Sequence, residues 1–140
     1  MTIDSGRLKH LEIIQQVITR MANNSFLIKG WSLTLLSLVL AIGLKEKIYT
    51  LLWVMLLPSI MLWCLDGYYL RQEKLFRKLW DKYKGDPQES ASDFSMDTTE
   101  FKSKISYWSN GVFSNPLWIF HGTLISILVV ISLFLYCTTK

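Results

Sequence analysis

The chain has 140 residues, 51% hydrophobic and 14% aromatic, with six Trp, two Cys and a net charge of +4. Three apolar runs occupy so much of it that the longest polar stretch, about Leu70 to Asn115, is too short and too polar to bury a large core alone. A sizeable soluble enzyme domain is therefore excluded, and the reading is an all-α membrane protein, one membrane domain over residues 1–140 with three transmembrane helices.

Residues 4–23 have the pattern of an amphipathic helix. Leu8, Leu11, Ile14, Ile18 and Met21 recur at three- and four-residue spacings, while Lys9, Glu12, Gln16, Thr19, Arg20 and Asn23 form a polar arc. Asp4 or Ser5 is placed to cap its start. Mixed charge and two glutamines favour packing on other helices over lying in the membrane interface. The first 25 residues lack the charged start and apolar run of a cleavable leader, and none is expected. Asn23, Asn24 and Ser25 then predict a polar break.

The first span is expected over 26–44, with the Lys29 ammonium reaching the headgroups along its apolar stem. Lys45 to Lys47 form a short turn, making spans one and two an antiparallel hairpin. The second span covers 48–69, and Pro58 frees the carbonyl of Val54 and kinks the helix. Good helix formers continue past Asp66 and Gly67, so the second span should run on as a stem over 70–84, adding ~22 Å. Arg71, Lys74, Lys78 and Lys82 share one face of this stem, and Leu75, Phe76, Leu79, Trp80 and Tyr83 a neighbouring one. Glu73 with Arg77, and Arg77 with Asp81, are four-residue ion pairs.

A loop is expected over 85–96. Asp97, Thr98, Thr99 and Glu100 have the form of a capping box, with Met96 and Phe101 as its hydrophobic staple. The helix it opens, 98–109, should lay Phe101, Ile105 and Trp108 on the stem and end at Asn110 and Gly111. Pro116 opens the third span, 116–136.

Twelve of the fifteen basic residues precede span one, open it, or lie between spans two and three; only Lys45, Lys47 and Lys140 lie on the other side. The positive-inside rule then puts the N-terminus and the stem in the cytoplasm and the C-terminus outside, periplasmic in a bacterial inner membrane. Cys64 and Cys137 fall near opposite ends of their spans, so no intrachain disulfide is expected.

Catalytic signatures are lacking, and neither an enzyme activity, a cofactor nor a metal site is expected. His10 reads as a surface or interface histidine. His121 lies inside the third span and needs a partner, most simply on another helix; lining a pore is its functional alternative. Asp66 should be satisfied by Arg71 or interfacial water. Gly30 with Thr34, Ser37 with Ala41, and Gly122 with Ser126 are four apart and invite close helix contact. Three helices from one chain do not enclose an aqueous channel, so any pore is shared among copies of a homo-oligomer, with Ser37, His121 and Ser126 as candidate lining residues. The stem is the candidate ligand site: Arg71, Lys74, Arg77, Lys78 and Lys82 supply a phosphate-binding field, and Trp80 and Tyr83 supply stacking surfaces. A solvated face meeting anionic membrane lipids is the plainer reading of the same cations.

At Phe26-Leu-Ile-Lys-Gly-Trp-Ser32, Leu65-Asp-Gly-Tyr-Tyr-Leu-Arg-Gln-Glu-Lys-Leu-Phe-Arg77 and Phe94-Ser-Met-Asp97 the chain resembles small bacterial anti-phage defence membrane proteins, in particular the channel-like effector of Hailong-type systems. The resemblance implies a homo-oligomeric ion-conducting effector, here expected as a tetramer. It also implies control by an oligonucleotide or cyclic nucleotide from an associated nucleotidyltransferase, with Arg71 to Arg77 as the first place to look for binding. A non-conducting anchor or scaffold, or a regulatory subunit docking a protein through the stem, is the alternative.

Overall fold

The structure is a computed structural model and describes residues 5–46, 48, 50–85 and 95–139. Most of the predicted 85–96 loop, the Asp4 cap, Lys47 and Lys140 lie outside these residues. All regular structure among the described residues is helical: α1 (Ser5–Lys45), α2 (Thr50–Val54), α3 (Leu56–Gly85), α4 (Thr99–Lys102), a π-helical turn (Trp108–Val112) and α5 (Asn115–Thr139). Three segments are long and apolar enough to cross a membrane, namely Ser5–Lys45, Thr50–Gly85 and Asn115–Thr138. The chain is an all-α, multi-pass membrane protein.

The expected break at Asn23 to Ser25 does not occur, and α1 runs unbroken from the amphipathic segment through span one. Polar residues end helices when their side chains compete for nearby backbone groups. Ser25 instead donates its hydroxyl to Asp66 on α3, so a tertiary partner removes the competition. The buried positions of α1, which include His10, Ile14, Ile18, Ser25, Ile28, Ser32 and Leu36, follow three-, four- and seven-residue steps and form one seam along the helix. At ~1.5 Å per residue the helix is ~60 Å long, about twice the hydrocarbon thickness.

The seam has two different cores. Toward the stem, Ile14 and Ile18 of α1 meet Leu75, Leu79 and Tyr83 of α3, closed over by Phe101 and Ile105. Outside a bilayer each such aliphatic side chain contributes ~1.5–3 kcal/mol on burial. In the spans Leu36, Met55 and Leu128 pack together, where contact rather than exclusion of water holds the helices. Phe26, Trp31, Leu57, Ile119 and Phe134 remain exposed, as lipid-facing side chains do.

Pro58 acts as expected. The regular helix is interrupted at Met55, between α2 and α3, where Pro58 removes the N–H that would serve Val54, while Met55 and Ser59 keep their four-residue bonds. The predicted 98–109 helix is divided instead of continuous. Asp97 accepts from the Thr99 N–H at 2.8 Å and from the Thr99 hydroxyl at 2.7 Å. Glu100 does not close the capping box, because it pairs with Lys82 at 3.0 Å, and the Asp97 N–H goes to Ser95 Oγ. Phe101 and Ile105 pack on the stem as expected, but Trp108 points outward, carried away by the π-turn. Asn110 and Gly111 lie within that turn and do not end a helix.

Glycines in close contact are not those expected. A Cβ on Gly30 would meet nothing and one on Gly122 only Trp118 of its own helix, whereas one on Gly67 would lie 2.7 Å from Val112 Cγ2 and one on Gly111 2.8 Å from the Gly67 carbonyl. The tight crossing is therefore between α3 and the π-turn. Gly30, Thr34, Ser37, Ala41 and Ser126 stay uncovered within the subunit.

Candidate functional site: an ionic junction of three helices

Each span brings one ionisable residue to the same place. Asp66 of α3 is fully buried, and its Oδ2 lies 2.7 Å from Lys29 Nζ of α1 and 2.8 Å from His121 Nε2 of α5. Ser25 of α1 donates to Oδ1, and Lys29 Nζ also reaches Ser25 Oγ at 2.7 Å. A carboxylate only accepts, so the proton of this hydrogen bond sits on Nε2. The Trp63 ring stacks on His121 with centroids 6.1 Å apart, and Phe120 meets its edge at 5.1 Å. Both carboxylate oxygens have partners and the Asp66–Lys29 charges cancel, which is what keeps a buried charge tolerable.

His121 thus has the partner on another helix that its position demanded, and it is buried within the subunit. Two expectations are corrected. Arg71 does not serve Asp66, and Lys29 does not leave for the headgroups, because the carboxylate one helix away is a stronger partner than interfacial water. The signal for the cluster was present: Lys29, Asp66 and His121 are ionisable residues within the spans, and buried charges are paired. Ser25 was legible only through its four-residue spacing from Lys29.

On the stem, the basic stripe is largely turned inward. Arg71 donates from Nε to the Ile105 carbonyl at 2.9 Å and reaches the Lys102 carbonyl at 3.4 Å, and Lys74 Nζ donates to the Asn110 carbonyl at 2.8 Å. These carbonyls lie where regular helix hydrogen bonding fails, around α4 and the π-turn, so cations meet them. Trp63 Nε1 donates to the Val112 carbonyl at 2.8 Å, and the Tyr107 hydroxyl to that of Cys64 at 2.9 Å. Burial, with Cys64 nearby as a smaller cause, pushes the Tyr107 phenol up. Trp63, Gly67, Arg71 and Lys74 thus form a row on α3 that clamps the segment leading into α5.

Of the remaining candidates, Arg77 pairs with Glu73 at 2.8 Å and not with Asp81, and Lys82 with Glu100. Lys78 is exposed, and Trp80 carries Lys84 Nζ 4.7 Å from its ring centre. Tyr83 is buried, in edge contact with His10 at 4.6 Å, so it offers no stacking face to a ligand. His10 is likewise a buried packing residue and not a surface one. Arg7 donates to the carbonyls of Tyr83 and Lys84, closing the end of α3 where a helix favours a cation. Ser37 is exposed on α1. Ser126 donates to the Gly122 carbonyl and borders a lateral groove of about 540 Å³ with Trp63 and Trp118. Ser37, His121 and Ser126 therefore form no common lining within one subunit. No group of His, Cys, Asp and Glu able to hold a metal occurs among the described residues. No protein family, curated protein or solved structure was found to match this chain.

Proposed function

We propose that the chain is the subunit of a homo-oligomeric, channel-like membrane effector, with its N-terminus and stem in the cytoplasm and an anionic ligand acting on the stem. The observation that carries this reading is mechanical. Helices α1 and α3 are each continuous between the stem core and the spans, and the Asp66 cluster locks them to α5 where the two halves meet. A displacement imposed on the stem therefore passes to the spans without a flexible joint between. Small and hydroxylated positions left uncovered within the subunit, Gly30, Thr34, Ser37 and Ser126, support close contact between copies.

The ligand field is smaller than the stripe promised. Lys78, Arg77 and Lys82, beside Trp80, are its remaining elements, and the chemistry they fit is a nucleotide or oligonucleotide phosphate with a base to stack. The bacterial inner membrane, the role in anti-phage defence and the nucleotidyltransferase partner rest on the resemblance of the Phe26 to Ser32, Leu65 to Arg77 and Phe94 to Asp97 segments. Purified protein in planar bilayers should conduct, and its mass in nanodiscs should be a multiple of the monomer. Silence in bilayers and a monomeric mass over a range of concentrations would refute the reading. A non-conducting anchor that docks a protein partner is the second reading, favoured by the inward turn of Arg71 and Lys74.

A further inference from the structure

Deeper in the spans than the carboxylate cluster, a cavity of about 10 Å³ is enclosed by Ser32, Leu36, Ser59, His121, Leu124 and Ile125. This is about the smallest volume that admits one water. The Ser32 hydroxyl donates to the Ile28 carbonyl and the Ser59 hydroxyl to the Met55 carbonyl, each at 2.8 Å. Both hydroxyl oxygens keep lone pairs for a water's hydrogens, and the His121 ring borders the same cavity. With Nε2 engaged on Asp66, Nδ1 is the nitrogen of His121 left to take a proton.

We propose that His121, Asp66 and this cavity form a site for one water and one proton, in which proton uptake by His121 releases Lys29 from Asp66. The proton comes from bulk water and bonds to Nδ1; no proton leaves the cluster, no other covalent bond changes, and the Lys29–Asp66 ion pair opens. The charge count makes the consequence definite. While His121 is neutral, Lys29 and Asp66 balance. Once it is an imidazolium, two cations share Oδ2 at 2.7 and 2.8 Å, and a net positive charge is left in a largely buried site.

Lys29 is the member able to leave, since its side chain is 25% exposed where that of His121 is 3%, and its stem lets the ammonium reach headgroups. Among the described residues, the charged groups facing His121 are Lys29 from α1 and Asp66 from α3. Arg71, the next cation along α3, is held by the Ile105 and Lys102 carbonyls, and the π-turn contributes the Val112 carbonyl to Trp63, the ring stacked on His121. Exchange of partners would remove the tie of Lys29 to this junction, so that span one and α5 separate there while the stem core of α1 and α3 stays closed. This inference does not depend on the channel reading.

The test uses the full chain in nanodiscs from about pH 8 to about pH 5, the interval in which imidazole ordinarily takes up a proton. Nitrogen NMR of labelled histidine, with the His121 signal assigned by difference against His121→Gln, should show Nδ1 protonating. Spin labels replacing exposed Leu27 and Ile119, with both native cysteines replaced by Ser, should move apart over the same interval, and not in His121→Gln. Lys29→Met removes the competing cation and should raise the proton affinity of His121 at least about tenfold, the scale on which one nearby charge acts. The proposal is overturned if His121 does not titrate in this interval, if it titrates with the distance unchanged, or if Lys29→Met leaves its proton affinity within about twofold of the parent.

Discussion

Replacing Asp66 by Leu removes the acceptor of Ser25, Lys29 and His121 together. The largest loss is the charge left on Lys29, since removing one partner of a buried ion pair costs ~3–5 kcal/mol when the survivor stays buried. Lys29 is 25% exposed and has an escape along its stem, so ~2–3 kcal/mol is the better figure for this site. The bonds from Ser25 and His121 add ~0.6 kcal/mol each, the average found between membrane helices. The total, ~3–4 kcal/mol, is a change of ~10²- to 10³-fold in the unfolding equilibrium. Combining Asp66→Leu with Lys29→Met removes both charges and should return stability to within ~1 kcal/mol of the parent. Reversible unfolding in mixed micelles, or steric trapping in bicelles, measures both. A single variant within ~0.5 kcal/mol of the parent, or a double variant worse than the single, would refute the account of Asp66 as the counter-charge of Lys29.

Gly67→Ala should destabilise by ~1–3 kcal/mol, because the new methyl meets Val112 backbone atoms at 2.9 Å that do not yield as a flexible side chain would; amide exchange at Val112 and Phe113 reads the loosened clamp. Arg71→Gln should speed amide exchange across 102–105, whereas Lys78→Glu should leave stability unchanged and weaken anionic-ligand binding alone, as calorimetry and binding titrations with a short oligonucleotide would separate. The Thr99 side-chain and backbone hydrogen bonds hold the Asp97 carboxyl below its ordinary 3.8. Its contribution to the start of α4 is therefore complete above that value and lost as pH falls through the lower folded one, which Asp97→Asn should abolish in an NMR titration. In a background lacking native cysteines, a probe at Glu46 should be labelled from outside intact cells and one at Ser103 spared; the reverse pattern would invert the proposed orientation.

The helices were legible because hydrophobic length and periodicity are local properties, and the α3 stem, the Pro58 interruption and the packing of Phe101 and Ile105 follow from them. What a neighbouring helix does to a residue is not local. Ser25 looked like part of a break because its bond to Asp66 crosses 41 residues of sequence. Arg71 and Lys74 looked like a free cationic face because a helical wheel gives the direction of a side chain and not what stands opposite it. The π-turn had no sequence sign beyond Asn110 and Gly111, and together with the broken stretch at the end of α4 and after it, it supplies the carbonyls that turn those cations inward.

The three spans are tied to the stem by different means, and this decides which of them is free to respond. Helices α1 and α3 pack on one another along the stem as well as within the spans, so relative motion between them must open the Ile14, Ile18, Leu75 and Leu79 core in water. Helix α5 has no such anchor. It begins at Asn115, and what holds its start is the π-turn clamp through Trp63, Gly67 and Lys74, together with the bond from His121 to Asp66. Its contacts deeper in the spans, around Leu128, lack the hydrophobic driving force that the stem core enjoys. A rearrangement that keeps the stem core intact therefore changes the separation of α5 from span one, and the ties that govern it run through Asp66 and the carbonyls of the π-turn. Those are the groups on which the Asp66 and Gly67 substitutions act.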